Sequence, residues 1–154
     1  MTTTRDTILV MRNILIVLAI LVMIFLMAGK LFAREVIDST QAIKCILGES
    51  RGEPYEGQIA VAEVLRRNPK IPFYGAFKIK REINGKWYAL EKDKWVKLSM
   101  KTVNNAYEAW KESEHSNYSR GATNFEGDSF KQPYWAKDMK AVAHIGNQTF
   151  YKGE

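Results

Sequence analysis

The sequence predicts a helix-rich α+β domain with small β-hairpins, preceded by one N-terminal hydrophobic helix. Three observations predict it. Residues 8–28 are almost wholly apolar, apolar residues recur at helical spacing in three later segments, and Asn84-Gly85 and Gly146-Asn147 each interrupt runs of strand-favouring residues. The 154 residues are 46% apolar and 26% charged, which excludes collagen-like, low-complexity and wholly disordered chains. A single cysteine, Cys45, excludes a disulfide framework and a thiolate-rich zinc cluster. The two histidines, His115 and His144, argue against a histidine-rich metal site, so no metal or cofactor is expected.

Ile14 to Ala28 is an unbroken apolar run, and Ile8 to Met11 extends it across the interruption Arg12-Asn13. Counted from residue 8, the stretch is long enough as a helix to cross a bilayer core of about 30 Å. It reads either as an uncleaved anchor or as a signal peptide with a basic start (Arg5, Arg12) and a cut after Ala33. Both readings divide the chain into a segment 1–34 and a domain 35–154 that works outside the cytoplasm. The domain is membrane-tethered in the first case and released to the cell envelope in the second. The chain's net charge of +6 falls to +3 once residues 1–34 are set aside.

Within the domain, Ser39 or Thr40 can cap a helix carrying Ala42, Ile43, Ile46 and Leu47, which Gly48 is expected to stop. Pro54 suits the start of a second helix to about Arg67, with Ile59 to Ala62, Val64 and Leu65 as its buried set. Residues 76–83 and 86–90 flank Asn84-Gly85 as a hairpin. Met100, Val103, Tyr107 and Trp110 share one face of a third helix from Ser99 to Ser113. The polar, Gly-bearing stretch 117–129 reads as loop. Residues 141–152 form a second hairpin, unless a helix runs across 135–142.

The chemistry concentrates in Gly48-Glu49-Ser50-Arg51-Gly52-Glu53-Pro54-Tyr55-Glu56-Gly57-Gln58. A carboxylate at the end of an apolar helix, next to a Gly-bearing corner, can be held half-buried. Burial and the neighbouring Glu53 and Glu56 then keep Glu49 protonated, as a proton donor to a glycosidic oxygen must be. On composition alone, these carboxylates equally fit as charges at the start of the next helix.

The segment Glu49-Ser50-Arg51-Gly52-Glu53, followed by Gly57-Gln58-Ile59-Ala60-Val61-Ala62, resembles the signature of the SleB/CwlJ family of bacterial cell-wall hydrolases. Gly121-Ala122-Thr123-Asn124-Phe125, Pro133-Tyr134-Trp135 and Ile145-Gly146-Asn147-Gln148-Thr149-Phe150-Tyr151 are similar to later blocks of that family, in the same order. The resemblance covers roughly residues 40–152. It implies a lysozyme-like fold and cleavage of peptidoglycan glycan strands between N-acetylmuramic acid and N-acetylglucosamine. It further implies lytic transglycosylation to a 1,6-anhydro product, with Glu49 as the single catalytic acid/base and no metal. Glu53, Gln58, Asn124, Phe125 and Tyr151 are then expected to bind substrate in the cleft. Glu126 is expected there too, as a glycan contact or second carboxylate, if it is not a surface-loop residue. Gln148 stands where that family carries histidine, and Leu65-Arg66-Arg67-Asn68 departs from its usual helix end.

The stretch 74–98 matches the family poorly. From Lys78 to Lys101 it holds eight basic residues against Glu82, Glu91 and Asp93, with Trp87, Tyr88 and Trp95 interleaved. This composition suits a solvated hairpin with one aromatic face on the core, a surface for glycan or wall polymer, or a nucleic-acid surface. The export signal speaks against nucleic acid, so the expected partners are peptidoglycan glycan strands and, through residues 8–28, a membrane. Two other classes fit the sequence: a membrane-tethered, non-catalytic wall-binding module, and a phage lysis protein using the same domain.

Overall fold

Asp38 starts the first helix of the domain, one residue earlier than the expected caps Ser39 and Thr40. Its extended backbone lets the carboxylate accept from Thr40 N at 2.9 Å and Gln41 N at 3.2 Å. This helix, α1 (Ser39–Ser50), runs through Gly48 rather than stopping there. Glu49 therefore lies inside the last turn, and Ser50 Oγ donates back to Ile46 O at 2.9 Å. The computed structural model describes residues 16–18, 20, 37–70, 73–128 and 133–153. The stretch from Val36 to Glu154 forms one unit, and Met1–Glu35 forms another.

Of the N-terminal apolar run, Ile16–Leu18 and Ile20 are helical and exposed; the rest of that expected anchor or signal segment lies outside the described residues. Among the described residues, no helix is long and apolar enough to cross a membrane.

Helix α2 (Tyr55–Arg67) begins behind Pro54, as its fixed φ favours, and is buried from Gly57 to Leu65. Helix α3 (Met100–Glu112) is capped by Ser99 Oγ, which accepts from Thr102 N at 3.1 Å. Its buried stripe is Val103, Ala106 and Ala109, not the expected set of large residues. Met100 and Tyr107 are exposed and Trp110 is half-buried, because the small alanines let α3 approach α1 and α2 closely. The basic end of α2 is fixed to its neighbours. Arg66 Nε donates to Ser113 Oγ at 2.7 Å, its guanidinium lies 3.8 Å from the Trp110 ring, and Asn68 Nδ2 donates to Thr123 O at 3.2 Å.

Two antiparallel sheets complete the domain. The first holds β1 (Ile79–Arg81), β2 (Trp87–Glu91) and β3 (Lys94–Lys97) in that order. The expected Asn84-Gly85 turn joins β1 to β2, with Gly85 at φ 79°. Residues 76–78, the start of the stretch read as strand, belong instead to a short 3-10 helix, Tyr74–Lys78. Strand β3 was not expected. Its hairpin turns on Lys92 and Asp93, both at positive φ without a glycine, so the usual turn signature is missing.

The second sheet holds β4 (Asn124–Gly127), β5 (Met139–Ile145) and β6 (Gln148–Gly153) in the order β4-β6-β5. Residues 124–127 are thus strand where the composition indicated loop, because β6 supplies their ladder partners. The expected hairpin forms as β5–β6, and the alternative helix across 135–142 is reduced to a single 3-10 turn, Tyr134–Ala136. Ile43, Ile46 and Leu47 of α1, Val61, Val64 and Leu65 of α2, and Phe150 of β6 are fully buried at the centre of the core. Each such side chain contributes about 1.5–3 kcal/mol by leaving water.

Candidate active site

Glu49 is half-buried at the end of α1, and its Oε1 accepts a hydrogen bond from Gly75 N at 2.6 Å. Gly75 belongs to the first turn of the short helix Tyr74–Lys78, where a backbone N–H has no partner within its own helix. The approach depends on two glycines. A Cβ on Gly75 would stand 2.5 Å from the Gly48 carbonyl carbon and 2.9 Å from Glu49 Oε1. Burial pushes the Glu49 carboxyl above its ordinary range. The Gly75 hydrogen bond works against that, the Glu126 carboxylate adds to it, and Lys78 subtracts from it. With Oε1 fixed as an acceptor, the carboxyl proton belongs on Oε2.

The second glutamate of the motif fastens the C-terminal hairpin. Glu53 Oε2 accepts from Asn147 N at 2.8 Å, and Gln58 Nε2 donates to Glu53 O at 3.2 Å. Gly146, at φ 60°, lies so close that a Cβ there would meet Pro54 Cδ at 2.7 Å as well as the Glu53 carboxylate. Next in the hairpin, Gln148 Nε2 donates to the backbone carbonyl of Glu49 at 3.0 Å. Gln148 thus holds the main chain of Glu49 to the hairpin. Gln58 is only 5% exposed, so both it and Glu53 are engaged with the protein's own backbone.

Cross-strand pairing separates the remaining expected residues onto two faces. Phe125 pairs with Phe150 and turns to the core, its ring 6.1 Å from Phe73 and 5.9 Å from Phe150. Asn124 and Glu126 pair with Tyr151 and Thr149 on the opposite face. There Glu126, Asp128, His144, Thr149 and Tyr151 help line a cavity of about 370 Å³. Tyr151 packs edge-on against Trp135, with ring centroids 5.5 Å apart. Glu126 and Tyr151 thus share a cavity, Glu126 also acts electrostatically on Glu49, and Phe125 belongs to the aromatic core.

Three members of that cavity were missed as site residues. His144 Nε2 lies 2.5 Å from Asp128 Oδ2, and Thr149 Oγ1 donates to Asp128 Oδ1 at 3.0 Å. The pairing of β4 with β6, which in turn pairs with β5, creates this group, which no linear spacing announces. Glu63 was also missed. It is 1% exposed on α2 and accepts from Ser116 Oγ at 2.6 Å, from Tyr118 N and Ser119 N at 2.9 Å each, and from Ser119 Oγ. Burial pushes its carboxyl up, but these bonds outweigh it and bring it below the usual range. A lone carboxylate within the apolar stripe 59–65 was the available signal.

Cys45 reads as expected, a small buried hydrophobe. Burial, with Glu49 nearby, pushes its thiol up to about 12. Among the described residues, no cluster of three or more His, Cys, Asp or Glu side chains could hold a metal ion.

No protein-family model matches the chain, and no curated protein does either. A solved structure similar to it is the catalytic domain of the Bacillus cereus SleB protein. The two share 20% identity over 74% of this chain and 91% of that one, with a TM-score of 0.46.

Proposed function

We propose that this chain cleaves the glycan strand of bacterial peptidoglycan between N-acetylmuramic acid and N-acetylglucosamine, by lytic transglycosylation with Glu49 as its one acid/base. The observation that carries the reading is the Glu49 carboxyl, half-buried, oriented by Gly75 and pushed by burial above its ordinary range. In the first half of the reaction the Oε2 proton passes to the glycosidic oxygen as the bond from the muramyl anomeric carbon to that oxygen breaks. The resulting carboxylate then takes the proton of the muramyl 6-hydroxyl while O6 bonds the anomeric carbon. The 1,6-anhydro ring closes and Glu49 is reset, with no water consumed.

Glu126 has two parts in this reading. Its charge favours the protonated form of Glu49, and it contacts the glycan at the cavity it shares with Tyr151. Asn124 lies at the near edge of the same face. Glu53, Gln58 and Phe125 act as positioning residues, through the hairpin and the aromatic core. Residues 8–28 would hold the domain at the outer face of a membrane, or be removed on export.

Mass spectrometry of soluble products from purified peptidoglycan tests the reading. Muropeptides lighter by one water than the reducing-end product are expected, and none with Glu49→Gln. Reducing-end products would replace transglycosylation by hydrolysis, with Glu126 as the second carboxylate to examine. Tight wall binding without soluble product would favour a non-catalytic module.

A further inference from the structure

The chain's positive charge is concentrated in the first sheet and the turns and helix ends that flank it. Between Lys78 and Lys101, eight basic residues face three acidic ones, a surplus of five in a chain whose net charge is +6. Register sorts these residues by face. Ile79, Trp87 and Ala89 are buried on the core side. On the opposite side Lys80, Tyr88 and Lys97 stand in one row across the three strands, with Leu90 and Trp95 in the next. Strand β3 is exposed along its whole length, and Trp95 is 42% exposed. Lysines on an edge strand discourage strand pairing, but that task does not require aromatic rings beside them.

The rings have a specific arrangement. Lys80 Nζ lies 5.1 Å from the Tyr88 ring centroid and 4.6 Å from that of Trp95. One ammonium is thus held over two aromatic faces in the middle of the sheet, pre-positioned at little further entropic cost. The same contact covers the faces on which nucleic-acid bases would stack. A flexible anion without planar rings is the better complement. At one end the sheet reaches Glu49, whose carboxyl feels Lys78. At the end of β2, Glu91 pairs with Arg51, two residues beyond Glu49, at 3.4 Å.

We propose that the solvent face of β1–β3, centred on Lys80 and Lys97, is a docking surface for a phosphodiester-linked polyol chain borne by the cell wall, which carries the glycan strand toward Glu49. The choice of a wall-borne anion rests on the reading of the chain as a peptidoglycan-cleaving enzyme. Each phosphate brings one negative charge to a row of ammonium groups, and the polyol units lie along Leu90 and the exposed length of β3.

The test is equilibrium binding of the full-length chain to purified poly(glycerol phosphate), with oligothymidylate as competitor, alongside the Lys80→Gln/Lys97→Gln and Lys80→Arg/Lys97→Arg variants. Lys97 is exposed and Lys80 half-buried, and thermal unfolding verifies that the variants fold. Wild type is expected to bind, more weakly as salt rises, and the Gln pair to lose about tenfold or more in affinity while the Arg pair retains it. Unchanged affinity in the Gln pair, or preference for oligothymidylate, overturns the proposal. Release of soluble fragments from polymer-free peptidoglycan is measured separately. Loss of polymer binding with intact lysis isolates the docking surface, whereas polymer binding by a wild type that releases nothing removes the enzymatic reading instead.

Discussion

Gly48 and Gly75 meet backbone to backbone, so that a side chain on Gly48 would begin within 2.6 Å of the Ala76 nitrogen. That contact brings the Gly75 N–H to 2.6 Å from Glu49 Oε1. The obstacle to a larger residue is main chain on both sides, which cannot swing away as a side chain would. Gly48→Ala and Gly75→Ala are each expected to cost about 3 kcal/mol or more in denaturant unfolding. Stability close to wild type in either variant would contradict the packing described.

Glu49→Gln removes the proton donor while keeping an oxygen for Gly75. Lytic rate should fall by about 10²–10⁴-fold or more. Stability moves the other way. A carboxyl whose folded pKa is raised above 4.5 makes ionisation unfavourable in the native state, so wild type loses stability as pH rises from 4.5 through the folded value. Thermal unfolding should therefore find the variant more stable than wild type at neutral pH, with the difference fading near pH 4.5.

The alkaline limb of the lysis profile should report Glu49. Glu126 raises that carboxyl as a like charge, so Glu126→Gln should move the limb to lower pH. A limb that stays in place would show that Glu126 does not act on the acid.

Glu63 carries the opposite pH dependence. Its folded pKa is lowered, so its contribution is fully present above the unfolded value of 4.5 and disappears as pH falls through the folded one. Glu63→Ala leaves Ser119 N and Tyr118 N without their acceptor and should cost about 3 kcal/mol or more at neutral pH. Urea unfolding at pH 7 and at low pH checks both the size and its decline.

Cys45 should resist thiol reagents at pH 8 in the native protein and react on unfolding, because it is fully buried and its thiol is pushed up to about 12. Rapid modification under native conditions would place it elsewhere.

Periodicity made the three helices and the β5–β6 hairpin readable, since each depends on neighbours within a few residues. What escaped depends on distant partners. Strand β4 holds a single large apolar residue, Phe125, and its ladder lies more than twenty positions downstream, while β3 is half lysine and turns without glycine. Glu49 stands out in its motif, but its hydrogen bond comes from Gly75, a residue 26 positions away that belongs to no motif. Alternation along β4 could have indicated that Phe125 and Glu126 face apart, had the segment been recognised as strand.

Strand β6 comes last among the described strands yet lies in the middle of its sheet, and the residues that open it are those that reach Glu49 and Glu53. A ribosome must therefore have passed Gln148 before Glu49 has its final surroundings. A nascent or prematurely halted product would hold Glu49 without the hairpin that fixes it. Synthesis order thus leaves the surroundings of Glu49 unfinished until the first residues of β6 have emerged.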